Sequence, residues 1–134
     1  MAIKKLVIAF AGPLVNCFIA IIVLAFYKRA SLQIQTIVYA NLLLAIFNLL
    51  PIYPLDGGRI LQEIIHMIKG KEKAYEVVNY IAKVTTIILT IVTSILILYI
   101  HNIAFVIILS YLWYLVIKNE QNYQMKKRIY ELLN

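Results

Sequence analysis

Apolar residues run through this chain in long blocks, and each block predicts a membrane helix. The blocks cover residues 6–26, 34–50, 84–100 and 103–117. The first is long enough to cross a bilayer, whose ~30 Å hydrocarbon core takes about 20 helical residues. The other three are shorter and cross only with tilt, local thinning or protein contact. The last two are separated only by His101 and Asn102; they predict two spans, with a single re-entrant hairpin as the alternative. Residues 58–80 predict an amphipathic segment, and residues 118–134 a polar, basic tail helix at the membrane surface. The fold class that follows is an all-α polytopic membrane bundle of about four spans, one membrane-embedded domain with a broken-helix loop at 51–58.

Composition agrees. Of the 134 residues, 63% are hydrophobic and 14% charged, and the mean hydropathy is +0.87. A soluble domain is nearer 45–50% apolar and about 25% charged. The single cysteine, Cys17, lies inside an apolar block, so no internal disulfide forms. The start, MAIKKLVIAFAGPLVNCFIA, has the basic and apolar regions of a signal peptide but no small-x-small cleavage site after them. It is expected to stay as a retained span.

The net charge of +7 would suit nucleic acid, but the basic residues flank apolar blocks and form no patch interleaved with aromatics. They are better explained by topology. Four spans leave the N-terminus, segment 51–83 and the tail on one side with 11 of the 13 basic residues; only Lys28 and Arg29 fall on the other. The positive-inside rule then puts both termini and Asp56 in the cytoplasm. Tyr111, Trp113 and Tyr114, just before the tail, are expected to anchor at the interface.

One stretch breaks the apolar pattern: NLLPIYPLDGGRIL, residues 48–61. Pro51 and Pro54 each lack an N–H, so a helix cannot run through them normally. Gly57 and Gly58 allow backbone that other residues resist. Irregular backbone at membrane depth survives only inside protein or beside a wet cavity. An aspartate at the centre of a membrane helix costs about 2.5–3.5 kcal/mol on insertion scales, and less near its edge. From the residues alone two readings stand. Asp56 caps a helix beginning near Gly57, or it is a functional carboxylate.

FNLLPIYPLDGGRIL resembles the second signature of the site-2 protease family of intramembrane zinc metalloproteases, peptidase family M50. AGPLVN, residues 11–16, looks like the opening of that family's preceding membrane helix. The order of the two motifs and of the spans after them is nearest the stage IV sporulation protein FB branch. The resemblance implies Asp56 as a zinc ligand, Asn48 near the substrate, Pro51 and Pro54 holding the unwound segment, and Gly57 and Gly58 allowing close backbone approach. It implies zinc as cofactor, a bacterial cell membrane as location, and a membrane-associated protein as substrate, in the sporulation branch a membrane-tethered transcription-factor precursor. In such a site three protein ligands leave a fourth position for water, and a glutamate beside the histidines acts as base.

The family's H-E-x-x-H helix should precede AGPLVN, and the sequence does not contain it. This chain therefore has no catalytic residue of its own and holds zinc only if the missing histidines come from another segment. His66 cannot replace them. It lies ten residues beyond Asp56, roughly 15 Å along a helix, and His101 belongs to the opposite-side turn. His66 is expected as an interfacial histidine, Glu63 as the partner of a lysine. The hydroxyls of Thr85, Thr86, Thr90, Thr93 and Ser94 are expected to bond between helices or to their own backbone. GKEK, residues 70–73, lacks the glycines and Ser/Thr of a phosphate loop.

Two functions remain in view. One is the C-terminal part of an intramembrane zinc metalloprotease cutting near the cytoplasmic face, inactive by itself. The other is a non-catalytic membrane scaffold or binding partner derived from that family. The expected partners are the lipid bilayer, the substrate, and a complementing membrane segment or regulator, with no nucleic acid.

The topology is testable. Single cysteines at Lys4, Lys71, Asn102 and Lys127 meet an impermeant thiol reagent in intact cells. Only the Asn102 position should react; labelling at Lys71 contradicts the arrangement.

Overall fold

Five helices and their connections make up the described part of the chain, residues 2–26, 32–100 and 102–133 of the computed structural model. Lys28, Arg29 and His101 lie outside it. The helices are α1 (Ala2–Phe26), α2 (Leu32–Asn48), α3 (Asp56–Lys69), α4 (Lys71–Ile100) and α5 (Ala104–Leu133). No strand occurs among the described residues, as the apolar blocks predict.

Two of these helices, over Ile3–Ala25 and Lys71–Tyr99, are long and apolar enough to cross a membrane. A core helix of a soluble protein is mostly covered, whereas only 17% and 11% of the most apolar windows here are buried. Ile21, Leu24, Ile88 and Leu98 point outward, and so large an apolar exterior suits lipid rather than water. α2 has 17 residues, about 26 Å of helix, and the apolar part of α5 is shorter still, about 21 Å.

α1 packs against α2 and α3, α3 against α4, and α4 against α5. Small residues make the closest seams: Ala9 and Ala20 on α1, Ala45 on α2, and Ala74 and Ala82 on α4 are all buried. Without a side chain beyond Cβ, two helix backbones approach closely enough for dispersion to hold them in lipid. The hydrophobic core forms where the α2–α3 connection meets the long helices. Ile52, wholly buried, sits with Ala82 of α4 and Leu112, Leu115 and Val116 of α5, flanked by Phe47, Leu50, Leu55 and Leu89.

Polar groups lock α4 to α5. Trp113 Nε1 donates to Thr90 Oγ1 at 3.1 Å, and Lys83 Nζ lies 3.0 Å from the Glu120 carboxylate. Beyond the apolar part of α5, Gln124 donates to Glu120 at 3.1 Å. That bond, aided by Lys83, holds the Glu120 carboxyl below the ordinary carboxylate value. The hydroxyls of Thr86, Thr90, Thr93 and Ser94 all donate to carbonyls one turn earlier in α4. Trp113 therefore faces a neighbouring helix, while Tyr111 and Tyr114 stay exposed.

Several boundaries differ from the sequence reading. The amphipathic stretch 58–80 is two helices, because Gly70 adopts φ +85° and ends α3 with its N–H on the His66 carbonyl at 3.1 Å. This is a positive-φ conformation that glycine, without a Cβ, enters readily. Residues 71–83 then run straight into the third apolar block as one 30-residue helix. The tail 118–134 is no separate element either: α5 continues through it to Leu133 with no proline or glycine to stop it. Asn102 caps the start of α5 by accepting the Ala104 N–H at 2.9 Å, so 84–117 belongs to two long helices joined by a short turn.

Candidate functional site

The irregular backbone spans residues 49–55, not 51–58, and Asp56, Gly57 and Gly58 form the first turn of α3. Asn48 is the last residue of α2 and half-buried. Helix bonding persists one step beyond it, as Leu49 N–H reaches the Ala45 and Ile46 carbonyls at 3.1 Å. Pro51 and Pro54, both half-buried, have no N–H to continue the ladder. Tight local bonds replace it: Ile52 N–H to the Leu50 carbonyl and Leu55 N–H to the Ile52 carbonyl, both 2.8 Å. The Tyr53–Pro54 peptide bond is cis.

The glycine pair explains how this connection folds back on α3. A Cβ on Gly57 would overlap the backbone carbonyl of Leu49, and one on Gly58 would overlap the Ile52–Tyr53 peptide. Both glycines are buried. No side chain fits between these backbones, so the dipeptide is a steric requirement. α5 holds the other side: the Asn119 carboxamide donates to the Tyr53 carbonyl.

Asp56 does not cap α3. Leu55 occupies the N-cap position with extended backbone (φ −60°, ψ 158°), and its carbonyl accepts the Arg59 N–H at 3.0 Å. Asp56 is already helical, where its charge meets the positive end of the helix dipole. Among the described residues its carboxylate accepts no hydrogen bond. It faces α1: a methyl group on Gly12 would come within 2.7 Å of Asp56 Oδ2. Gly12 thus leaves the room that the carboxylate occupies. The sequence reading used Gly12 only as part of AGPLVN. A glycine within an apolar helix is itself a sign of close approach, and that sign was available.

The other candidates fall elsewhere. Glu63 pairs with Lys5 of α1 at 3.0 Å, a lysine brought by the fold and not by its own helix. His66 is exposed, with Nδ1 3.8 Å from Glu63, one turn from the end of α3. Among the described residues no three His, Cys, Asp or Glu side chains gather closely enough to hold a metal. Asp56 has the charge and exposure of a ligand, but the residues present do not make a zinc site by themselves, and no catalytic step follows from them.

Comparison with known proteins narrows the meaning of this geometry. Residues 27–92 match the model of peptidase family M50. The M50 match encloses the whole of α2, the broken segment, the glycine pair, Asp56 and α3. A zinc metalloprotease of Methanocaldococcus jannaschii is 35% identical over 91 residues, covering 63% of this chain. The chain spans 27% of that relative's length. No solved structure matches the chain.

The three glycines separate by what they touch. Gly57→Ala and Gly58→Ala drive a methyl into backbone and should each destabilise the fold by about 3 kcal/mol or more. Gly12→Ala meets only a side chain that can turn aside, and alanine favours a helix by up to ~1 kcal/mol. Its stability should stay within ~1 kcal/mol of the parent. Denaturation of the purified chain in detergent micelles checks this; equal losses at all three positions contradict the assignment.

Proposed function

We propose that this chain is the C-terminal part of an intramembrane zinc metalloprotease of the site-2 protease family, M50, cleaving a membrane-associated protein near the cytoplasmic face. Asp56 supplies one zinc ligand, and the histidines and glutamate come from an H-E-x-x-H membrane segment outside this sequence. The observation that carries the proposal is the placement of Asp56. Its carboxylate is half-buried and without a hydrogen-bond partner among the described residues, at the end of a backbone path that tolerates only glycine behind it. A buried charge is ordinarily paired or metal-bound, and this half-buried carboxylate lies inside the M50 match. Asn48, at the end of α2, is proposed to face the substrate. Pro51, Pro54, Gly57 and Gly58 shape the segment that presents Asp56. The proposed location is a bacterial cell membrane with both termini in the cytoplasm, and the proposed substrate class is that of the sporulation branch.

A second reading, a non-catalytic scaffold of the same family, draws on the absence among the described residues of any trio able to hold metal. The two readings part when the ligand set is completed. With an H-E-x-x-H membrane segment supplied in the same polypeptide or co-expressed, the enzyme reading predicts cleavage by the parent. Asp56→Ala and Asp56→Asn should then both lose activity beyond the ~100-fold that removal of an outer-shell partner costs. The protein should still be folded in the membrane, with zinc content reduced. Asn keeps the shape of Asp but not its charge, so cleavage by Asp56→Asn near the parental rate overturns the ligand assignment. No cleavage by the parent favours the scaffold.

A further inference from the structure

A polar cleft of about 190 Å³ opens between the broken segment, α3, α4 and the polar half of α5. Its wall includes Tyr53, Gln62, Asn79, Asn122, Tyr123 and Lys126. Asn79 stands out because it is only 8% exposed and its amide nitrogen has no hydrogen-bond partner. A buried donor left unpaired is costly, and native structures rarely keep one without a reason. The two ends of the carboxamide exchange by a half-turn about χ2, so an acceptor entering the cleft gains a donor that is otherwise unused. Gln62, Asn122 and Tyr123 likewise have no side-chain partner among the described residues. Lys126 reaches over the Tyr75 ring at 5.1 Å to the centroid.

The lining is rich in donors, carries a cation and contains no carboxylate. The acid on the same stretch of α5, Glu120, is engaged by Lys83 at 3.0 Å. Such a set suits an anion with several acceptor oxygens. The cleft also lies at the end of the bundle with most of the basic residues. Basic pockets between membrane helices take anionic lipid headgroups.

We propose that this cleft binds the phosphate of an anionic membrane lipid. The site is separate from Asp56 and does not depend on zinc.

Native mass spectrometry of the full chain in detergent, titrated with phosphatidylglycerol or phosphatidylcholine, tests it. Phosphatidylglycerol should bind more tightly. Asn79→Leu leaves net charge unchanged yet should weaken that binding about tenfold, as should Lys126→Gln, the scale of one charge-assisted hydrogen bond. Asn122→Asp alters only the exposed rim, folds without a buried change, and should weaken binding comparably by repelling the phosphate. Lys127→Gln, next to the cleft but outside its lining, should stay within about twofold. Equal effects of Lys126→Gln, Lys127→Gln and Asn122→Asp, with none from Asn79→Leu, would mean diffuse charge attraction and overturn the proposal. Displacement of the lipid by millimolar inorganic phosphate, with the same variant pattern, overturns the assignment to lipid.

Discussion

The close approach of two backbones, the first turn of α3 against residues 49–53, is the constraint on which the rest of this structure depends. Gly57 lies on the Leu49 carbonyl and Gly58 on the Ile52–Tyr53 peptide, with no space for a methyl group at either. Membranes forbid irregular backbone in contact with lipid, so the broken segment must be covered on every side. α3 covers one side through the glycines. From that single contact follow the direction of α3, the burial of Ile52 and the position of Asp56 one residue before the pair.

The other sides are closed by different forces. Ile52 enters an apolar cluster with Leu112, Leu115 and Val116 of α5, and Asn119, one turn further along α5, takes the Tyr53 carbonyl. α5 in turn is tied to α4 by Trp113 and by the Lys83–Glu120 pair. α1 closes the face that carries Asp56, with Gly12 against the carboxylate and Lys5 on Glu63 of α3. The ion pairs Lys5–Glu63 and Lys83–Glu120 sit in the polar ends of their helices, whereas the Trp113–Thr90 bond and the buried Ala20 and Ala45 lie within the apolar blocks. This is the distribution expected where hydrogen bonds orient and dispersion holds.

Much of this was legible in the sequence for simple reasons. Long apolar blocks fix helices, and two prolines followed by two glycines fix a break. What escaped was whatever depends on neighbours distant in the chain. Leu55 replaces Asp56 as N-cap because the connection arrives extended, which residues 55–58 alone do not reveal. Gly70 could be spotted only by giving a lone glycine in a polar stretch the weight of a helix stop. The polar tail looked like a separate surface helix because polarity changes at Lys118, but polarity alone does not end a helix. Asn119 and Asn79 carry no local mark at all; their importance comes from what the fold places beside them. The ligand histidines that the family resemblance implies have no counterpart beside Asp56 among the described residues.

The most direct measurement concerns the contact between Gly12 and Asp56. In a chain with Cys17→Ala, the paired substitutions Gly12→Cys and Asp56→Cys put one thiol where the carboxylate group was, 3.7 Å from the new Cβ at position 12. A disulfide brings the two Cβ atoms to about 3.5–4.5 Å, and the Asp56 Cβ lies one bond behind that carboxylate carbon, so a small shift of the helices closes the bond. Mild oxidation of membranes should therefore close this disulfide rapidly and nearly completely, while Gly12→Cys paired with His66→Cys remains reduced. Failure of the first pair to close in a folded protein, or closure of both pairs alike, would contradict the claim that the broken segment seats Asp56 against α1.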